Sequence, residues 1–393
     1  MQNMTITFSI IILLGALAAF YSSMHIARQL RFSWKTTLIT ASVLGLLAAC
    51  HQLFLSLGFF HEIIGAPFIF YPLIFATNFG ILAIPCVLVT DIILAIIRLI
   101  KGPVLTDASF VKWRKKLGAL YALAFALLSI TSTYNAVKAP IVTPIDIYTK
   151  DLPADLEGFK IAQISDVHTS PFFGKERSNA IVKATMEQHP DLIAITGDQS
   201  DGIPSLRENA LTPFFNLKAA HGVWYIPGNH EYITDFKPWI TWYKEKGLNL
   251  MLNTHSTFKI NNSAFTVIGL DDESASRLSA EPQFKGPDLQ KALPENIDDD
   301  FRLLLAHQPR AAEQYADAKY GIDLMLSGHT HGGQVPLLST LTAQANNGFV
   351  KGLYKVNDMQ LYVSQGAGLW QGFCARLNTF PEIALFTLHK APN

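Results

Sequence analysis

Four long apolar stretches occupy the first third of the chain. No Asp, Glu, Lys or Arg occurs in residues 4–24, 37–60, 63–90 and 117–137. Each stretch is long enough to cross a hydrocarbon layer of about 30 Å as a helix. One such stretch could be a buried helix of a soluble protein, but four in succession favour a transmembrane region. We predict that residues 1–138 form this region, with spans at about 4–24, 37–60, 72–97 and 117–137.

Residues 63–97, which are the third stretch and the seven residues that follow it, contain prolines and one acidic residue. Prolines near the start of this segment place the beginning of a long helix at about Pro72, and Pro85 is expected to kink that helix. Asp91 lies in the same helix, either near the membrane interface with Arg98 or turned toward the other helices. We favour structural pairing of Asp91 because no second acidic residue lies in any predicted span.

After the fourth stretch the pattern changes to short apolar runs separated by polar helical segments. Residues 139–158 contain three prolines and are typical of an extended linker. The alternation that follows predicts a layered α/β domain over residues 159–393, with β-sheets flanked by helices. The predicted strands are residues 160–165, 192–196, 223–227, 265–270, 303–306, 324–327, 361–364 and 383–388. The predicted helices lie around residues 175–189, 205–220, 236–247 and 309–320.

Charge divides the chain at the same place. Residues 1–138 carry ten Lys and Arg against three Asp and Glu, whereas residues 139–393 carry 21 against 28. An acidic second part argues against a nucleic acid as its partner. Cys50 and Cys86 lie in apolar stretches and Cys374 is alone in the second part, so no disulfide is expected there.

Basic residues near the apolar stretches predict an orientation. Lys and Arg are frequent in residues 25–36 and 98–116 but absent from 58–66. Short basic loops tend to remain in the cytoplasm, so four spans would place both termini and the second domain outside it. If residues 63–97 formed a re-entrant pair, this orientation would reverse. A signal peptide is not predicted, because residues 1–8 contain no Lys or Arg.

Residues with metal-binding side chains follow five of the predicted strands. Ligand sites in α/β sheets form at strand ends, so these five blocks are expected to converge although each alone is a weak signal. Asp, Asn and His side chains suit divalent ions such as Mn, Fe, Zn or Co. Two such ions sharing one carboxylate can clamp a phosphoryl oxygen. The blocks are residues 166–168, 197–201, 228–231, His307 and residues 328–331.

The five blocks resemble the calcineurin-like metallophosphoesterase superfamily. Its pattern is D-x-H, G-D-x-x-D, G-N-H-[DE], H and G-H-x-H, and every block is complete in this chain. Residues 326–334 and the tail 366–382 resemble the bacterial membrane-anchored branch. The resemblance covers about residues 159–389. It implies a metallophosphoesterase fold and a hydrolase that acts on phosphoric ester bonds.

The resemblance also implies roles for individual residues. The ligands of one divalent ion would be Asp166, His168, Asp198 and His331. The ligands of a second ion would be Asp198, Asn229, His307 and His329, so that Asp198 bridges the two. His230 would contact the phosphate and assist departure of the leaving group. Glu231 would orient His230, while Asp201 either completes the site or serves only as a structural cap.

Residues outside the five blocks are assigned ordinary roles. The acidic run at residues 271–273 is predicted to be a solvated turn. Trp370, Phe373 and Arg376 could shape a substrate pocket, although core packing is favoured for the two aromatic residues. The rim that selects the substrate is expected in residues 201–214, 272–287 and 336–350.

The apolar stretches and the five blocks together predict a membrane-anchored, dinuclear metal-dependent phosphoesterase. Its expected substrate is a phosphodiester or pyrophosphate of a small molecule or lipid. A lipid or envelope component is favoured only because of the membrane anchor. The alternatives are a general phosphomonoesterase, a non-catalytic sensor of a phosphorylated ligand, and a transporter with an accessory domain. Complete ligand blocks disfavour the sensor, and a single acidic residue in the spans disfavours the transporter.

Overall fold

The computed structural model describes residues 2–58, 67–101, 108–234, 236–279, 282–295 and 300–392. The chain divides into two compact units. The helical unit contains the first four helices together with the C-terminal segment Gln371–Leu377. The α/β unit contains Val137–Trp370 and the chain from Asn378 onward.

The helical unit contains four long helices, as the apolar stretches predict. They are α1 (Gln2–Gln29), α2 (Trp34–Gly58), α3 (Phe70–Lys101, with Pro85 inside it) and α4 (Ala108–Val137). All four are long and apolar enough to cross a membrane. Small residues allow α1 and α3 to approach closely: a Cβ added to Gly80 would lie 2.5 Å from the backbone nitrogen of Ala19. Such small-residue packing is common between membrane helices.

The segment Gln371–Leu377 is held by polar side chains of this helical unit. Gln52 donates a hydrogen bond to the carbonyl of Gly372 at 2.9 Å, and Asn78 donates one to the carbonyl of Cys374 at 2.9 Å. Isolated amide side chains in apolar helices are costly to bury unless they find such partners. The two side chains therefore fix the path of this segment.

The α/β unit contains two six-stranded mixed sheets, in agreement with the predicted fold class. The strands are β1 (Ile141–Thr149), β2 (Lys160–Ile164), β3 (Leu192–Thr196), β4 (Val223–Ile226), β5 (Asn249–Leu250), β6 (Thr254–Ile260), β7 (Ser263–Gly269), β8 (Phe301–Leu305), β9 (Leu324–Ser327), β10 (Gly352–Val356), β11 (Met359–Val363) and β12 (Glu382–Lys390). The first sheet has the order β1-β12-β2-β3-β4-β5 and the second sheet the order β10-β11-β9-β8-β7-β6.

The two sheets pack face to face around one apolar core. Ile161, Leu192 and Phe386 of the first sheet contribute to it, as do Phe265 and Leu303 of the second. Helices cover the outer faces of the sheets, which is the layered arrangement that the alternating pattern predicts. The helices of the α/β unit are α5 (Lys175–Met186), α6 (Pro204–Leu211), α7 (Asn229–Thr234), α8 (Phe236–Glu245), α9 (Ala275–Leu278), α10 (Leu289–Ala292), α11 (Ala312–Tyr315) and α12 (Pro336–Ala345).

Some elements differ from those expected. The stretch described above as a linker contains β1, which pairs in parallel with β12. Pro144 is tolerated there because β1 is an edge strand, where a missing N–H does not interrupt a ladder. Strands β5, β6 and β10 were not predicted. The helix expected over residues 309–320 is three short turns, Pro309–Ala311, Ala312–Tyr315 and Ala318–Tyr320.

Candidate metal centre

Loops at the carboxyl ends of five strands bring the predicted site residues together. The loops follow β2, β3 and β4 of the first sheet and β8 and β9 of the second. Because these strands run parallel to their neighbours within each sheet, their carboxyl ends share an edge. The residues that they deliver are Asp166, His168, Asp198, Asp201, Asn229, His230, Glu231, His307, His329 and His331.

The backbone of these loops is held in an unusual conformation. The φ angles of Asp166, His168 and Asp198 are 53°, 49° and 52°, and those of His329 and His331 are 69° and 49°. Residues with a Cβ rarely adopt this left-handed region, and such conformations concentrate at functional sites. The surrounding fold therefore stabilises a local geometry that the loops would not adopt alone.

Two glycines allow the loops to approach the buried carboxylates. A Cβ at Gly228 would lie 2.2 Å from Oδ1 of Asp198, and one at Gly328 would lie 2.2 Å from Oδ2 of Asp166. No side chain fits at those distances. Both glycines belong to the blocks recognised in the sequence, and their role is to leave space for the carboxylates.

One group of potential ligands consists of Asp166, His168 and His331. The Nε2 atoms of His168 and His331 lie 3.2 Å apart, and Nε2 of His331 lies 3.7 Å from Oδ1 of Asp166. Two imidazole nitrogens facing each other beside a buried carboxylate form a donor set that suits a divalent transition metal. The geometry is thus compatible with a bound cation.

A second group consists of Asp198, His307 and His329. Oδ2 of Asp198 lies 3.2 Å from Nε2 of His307 and 3.7 Å from Nε2 of His168, so this one oxygen is near both groups. Nδ1 of His329 lies 2.8 Å from Oδ1 of Asn229. All seven residues expected to bind metal therefore lie around the same point at the sheet edges.

Charges in the site follow from burial and from the neighbouring groups. Burial raises the pKa of Asp198, but the positive charges of His307 and His230 outweigh burial and hold this pKa well below its usual range. Burial, assisted by the charge of His307, lowers the pKa of His329 to about 3. A neutral His329 ring retains the lone pair that a metal ion requires.

Glu231 does not have the contacts expected of it. Its carboxylate accepts hydrogen bonds from the backbone N–H groups of Asp198 at 3.0 Å, Gln199 at 2.8 Å and Gly228 at 2.7 Å. Neighbouring residues on a helix do not face each other, which disfavours a contact between Glu231 and the ring of His230 beside it. Glu231 instead fixes the loops that follow β3 and β4.

Asp201 makes the contact with the ring of His230 that the family resemblance assigns to Glu231. Its Oδ1 accepts hydrogen bonds from Nδ1 of His168 at 3.0 Å and from Nδ1 of His230 at 2.6 Å. Asp201 is 3% exposed, so these bonds are shielded from water. Burial lowers the pKa of His230, but the charges of Asp198 and Asp201 outweigh burial and bring this pKa to about 9.

His230 lies next to both the ligand groups and the C-terminal tail. Its ring meets that of His168 edge to face at a centroid distance of 4.6 Å, and the ring of Trp370 at 6.1 Å. His168, Asp198 and His230 also form a third group of side chains that could hold a metal ion. A ligand role for His230 is therefore the alternative to a phosphate contact. Trp370 lies beside the site, whereas Phe373 is buried in the helical unit.

The acidic run at residues 271–273 is not the solvated turn that we predicted. Asp271 is 5% exposed and Asp272 is 1% exposed. Gln308 donates to Asp272 at 3.0 Å, and the hydroxyl of Tyr232 donates to Asp271. Buried acidic groups need such partners, which residues distant in sequence provide here. Residues 271–273 are therefore part of the buried structure that surrounds the site.

Comparison with known proteins identifies the family to which this chain belongs. Residues 159–333 match the family described as Calcineurin-like phosphoesterase. The chain is 31% identical over 247 residues to the uncharacterized metallophosphoesterase YkuE of Bacillus subtilis, with 60% of this chain and 81% of that protein covered. The chain belongs to the calcineurin-like metallophosphoesterases, a class of hydrolases that act on phosphoester bonds.

Two further relatives extend the comparison. The chain is 32% identical over 282 residues to a transmembrane protein with metallophosphoesterase domain of Bos taurus, with 70% of this chain and 63% of that protein covered. It is 32% identical over 256 residues to an uncharacterized metallophosphoesterase of Helicobacter pylori, with 65% of each chain covered. This chain thus spans somewhat less than two thirds of the length of these two proteins.

The contacts of Glu231 lead to a stability prediction. In Glu231→Gln one acceptor oxygen becomes an NH2 group, so at least one buried backbone N–H loses its partner, at a cost of about 1–3 kcal/mol. We expect the full-length protein in detergent to unfold at a lower temperature, as followed by tryptophan fluorescence. Glu245→Gln, at an exposed position on α8, is the control. Equal unfolding temperatures for the two variants would contradict this role of Glu231.

Proposed function

We propose that this protein is a membrane-anchored, dinuclear metal-dependent phosphoesterase. Its proposed substrates are phosphodiesters or pyrophosphates, with a lipid or envelope component favoured because of the anchor. The proximity of one Asp198 oxygen to both histidine-containing groups carries the dinuclear assignment. A carboxylate in that position is what two closely spaced ions would share.

In this proposal the ligands are distributed as the family resemblance implies. The first ion is assigned to Asp166, His168, Asp198 and His331. The second is assigned to Asp198, Asn229, His307 and His329. When bound, the metal pair supplies positive charge that stabilises the charge developing on the phosphoryl oxygens. Manganese, iron, zinc and cobalt all suit this combination of imidazole and carboxylate ligands.

The protein's own groups then orient the reacting phosphate. The hydrogen bond from His230 to Asp201 holds the imidazole ring at the edge of the ligand groups. From there His230 would contact a phosphate oxygen and transfer a proton to the leaving oxygen. Asp201 would support catalysis by holding His168 and His230 together, and Glu231 by holding the loop backbone. Asp201 and Glu231 are therefore positioning residues.

The membrane location rests on the four apolar helices and on relatives described as transmembrane proteins. We propose that all four helices cross the membrane. Their basic ends would face the cytoplasm, and the α/β unit would lie on the opposite side. That placement would give the enzyme access to phosphorylated molecules outside the cytoplasm, including the head groups of lipids.

Asp198→Ala tests the shared ligand. We expect the full-length wild-type protein, supplied with Mn²⁺, to bind two ions per chain and to hydrolyse an aryl phosphodiester. Asp198→Ala should lose both ions and the activity, because one carboxylate serves both positions. Elemental analysis and a chromogenic assay provide the two measurements, and Asp358→Ala, at an exposed position, serves as the control.

Two results would contradict this proposal in different ways. Two ions retained in Asp198→Ala would exclude the bridging role. Two ions in the wild-type protein without turnover of phosphodiesters, phosphomonoesters or lipid pyrophosphates would indicate a sensor of a phosphorylated ligand instead.

His230→Asn separates catalysis from metal binding. If His230 assists the leaving group, this variant should keep both ions and lose about 10²–10⁴-fold in kcat. The loss should become smaller with substrates whose leaving group needs no proton. His189→Asn, at an exposed position, should behave as wild type. Loss of an ion from His230→Asn would identify His230 as a metal ligand and refute the proposed role.

A reporter fusion tests the orientation. A reporter that is active only outside the cytoplasm should work when it is fused after Asn393 and should fail when it is fused after Lys101. The physical reason is that the basic residues near Lys101 resist translocation across the membrane. Activity of the Lys101 fusion and silence of the Asn393 fusion would reverse the proposed orientation.

A further inference from the structure

A polar cavity lies within the helical unit, among α1, α3 and α4. Its volume is about 450 Å³, and its charged lining consists of His25, Arg28, Asp91, Arg98 and Arg114. These residues come from the last turns of α1 and α3 and from the second turn of α4, so the cavity lies at one end of the helical unit. None of the candidate metal ligands belongs to it.

Asp91, the one carboxylate among the described residues that line this cavity, already has partners. Nδ1 of His25 lies 2.9 Å from Oδ1 of Asp91, and the hydroxyl of Tyr21 donates to Oδ2. Of the two positions that the sequence left open for Asp91, the structure shows the one turned toward the other helices. Both oxygens of Asp91 are thus bonded to side chains of α1, and neither forms an ion pair with Arg98.

The arginines give the cavity an excess of positive charge. Nε of Arg114 donates to the amide oxygen of Gln29 at 2.7 Å, which does not neutralise the guanidinium. Among the residues that the structure describes, no carboxylate lies within ion-pair distance of Arg28 or Arg98. Guanidinium groups bind phosphate oxygens in a bidentate manner, and basic pockets between membrane helices bind lipid head groups.

A second open cavity, of about 660 Å³, adjoins the first. The two share Met24 and Arg28, and the second is also lined by Arg31, Phe32, Trp34, Thr37 and Leu38. Trp34 is 72% exposed, and tryptophan is typical of the boundary between lipid and water. Phe32, Trp34 and Leu38 form an apolar groove along this second cavity, and Arg28 and Arg31 complete its lining. Such a groove beside a basic cavity matches a molecule that carries both a phosphate and acyl chains.

We propose that these adjoining cavities bind an anionic phospholipid. Its phosphate lies between Arg28, Arg98 and Arg114, and its acyl chains extend along Phe32 and Trp34. The lipid here is a bound partner of the helical unit and not the substrate of the metal centre. Lipid binding goes beyond the proposed hydrolysis. Of the proposals made above, it requires only that the four helices lie in the membrane.

Lipid binding to the full-length protein provides the test. The purified protein in detergent is titrated with phosphatidylglycerol or phosphatidylcholine, and bound lipid is counted by native mass spectrometry. We expect phosphatidylglycerol to bind about tenfold more tightly or better. The double variant Arg28→Gln/Arg98→Gln should lose this preference. The matched control, Lys112→Gln/Lys115→Gln, removes two charges from exposed positions at the same end of the helical unit and should keep it.

Three results would overturn the proposal. One is equal binding of the two lipids by the wild-type protein, a measurement that does not depend on the variants folding. Another is an equal loss of preference in both double variants, which would indicate general surface charge. The third is displacement of the lipid by sn-glycerol 3-phosphate at a similar concentration, which would show that the apolar groove plays no part. Hydrolysis of an aryl phosphodiester, assayed in the same samples, reports separately on the metal centre.

Discussion

The burial of two carboxylates at one edge of two sheets is the constraint on which the site depends. Asp166 is 0% exposed and Asp198 is 1% exposed, and buried charges are tolerated only when they are paired. Burial raises the pKa of Asp166, whereas the histidines around Asp198 hold its pKa well below the usual range. This concentration of buried ligands costs stability in the absence of a cation, and a bound divalent cation would offset that cost.

The loop geometry follows from this constraint. Ligands from both sheets can meet only if their loops turn sharply at the strand ends, which explains the positive φ angles of Asp166, Asp198 and three histidines. The backbone N–H groups exposed by these turns need acceptors. Glu231 supplies acceptors for the loops after β3 and β4. One further buried carboxylate therefore holds the loops that carry Asp198 and Asn229.

Polar residues in the helical unit have comparable structural roles. Gln52 and Asn78 hold the backbone of Gln371–Leu377, while His25 and Tyr21 hold Asp91. A polar group in an apolar environment must find a partner, so these hydrogen bonds favour the observed positions of the segment Gln371–Leu377 and of α1 beside α3. Within the described part of the chain no carboxylate pairs with Arg28 or Arg98, and these two guanidinium groups are among those that we propose bind an external anion.

The sequence alone determined the four apolar helices and eight strands of the α/β unit, because hydrophobic periodicity is a property of neighbouring residues. It also determined the ten residues of the five blocks that converge, because each block is a local motif. Tertiary structure decided what depends on distant residues. It assigned the contacts of Asp201 and Glu231, buried the run at residues 271–273, paired β1 with β12, and directed Asp91 toward His25. Apart from Gly228, which lies three residues from Glu231, these partners are separated by 29 residues or more, so no local pattern encodes them.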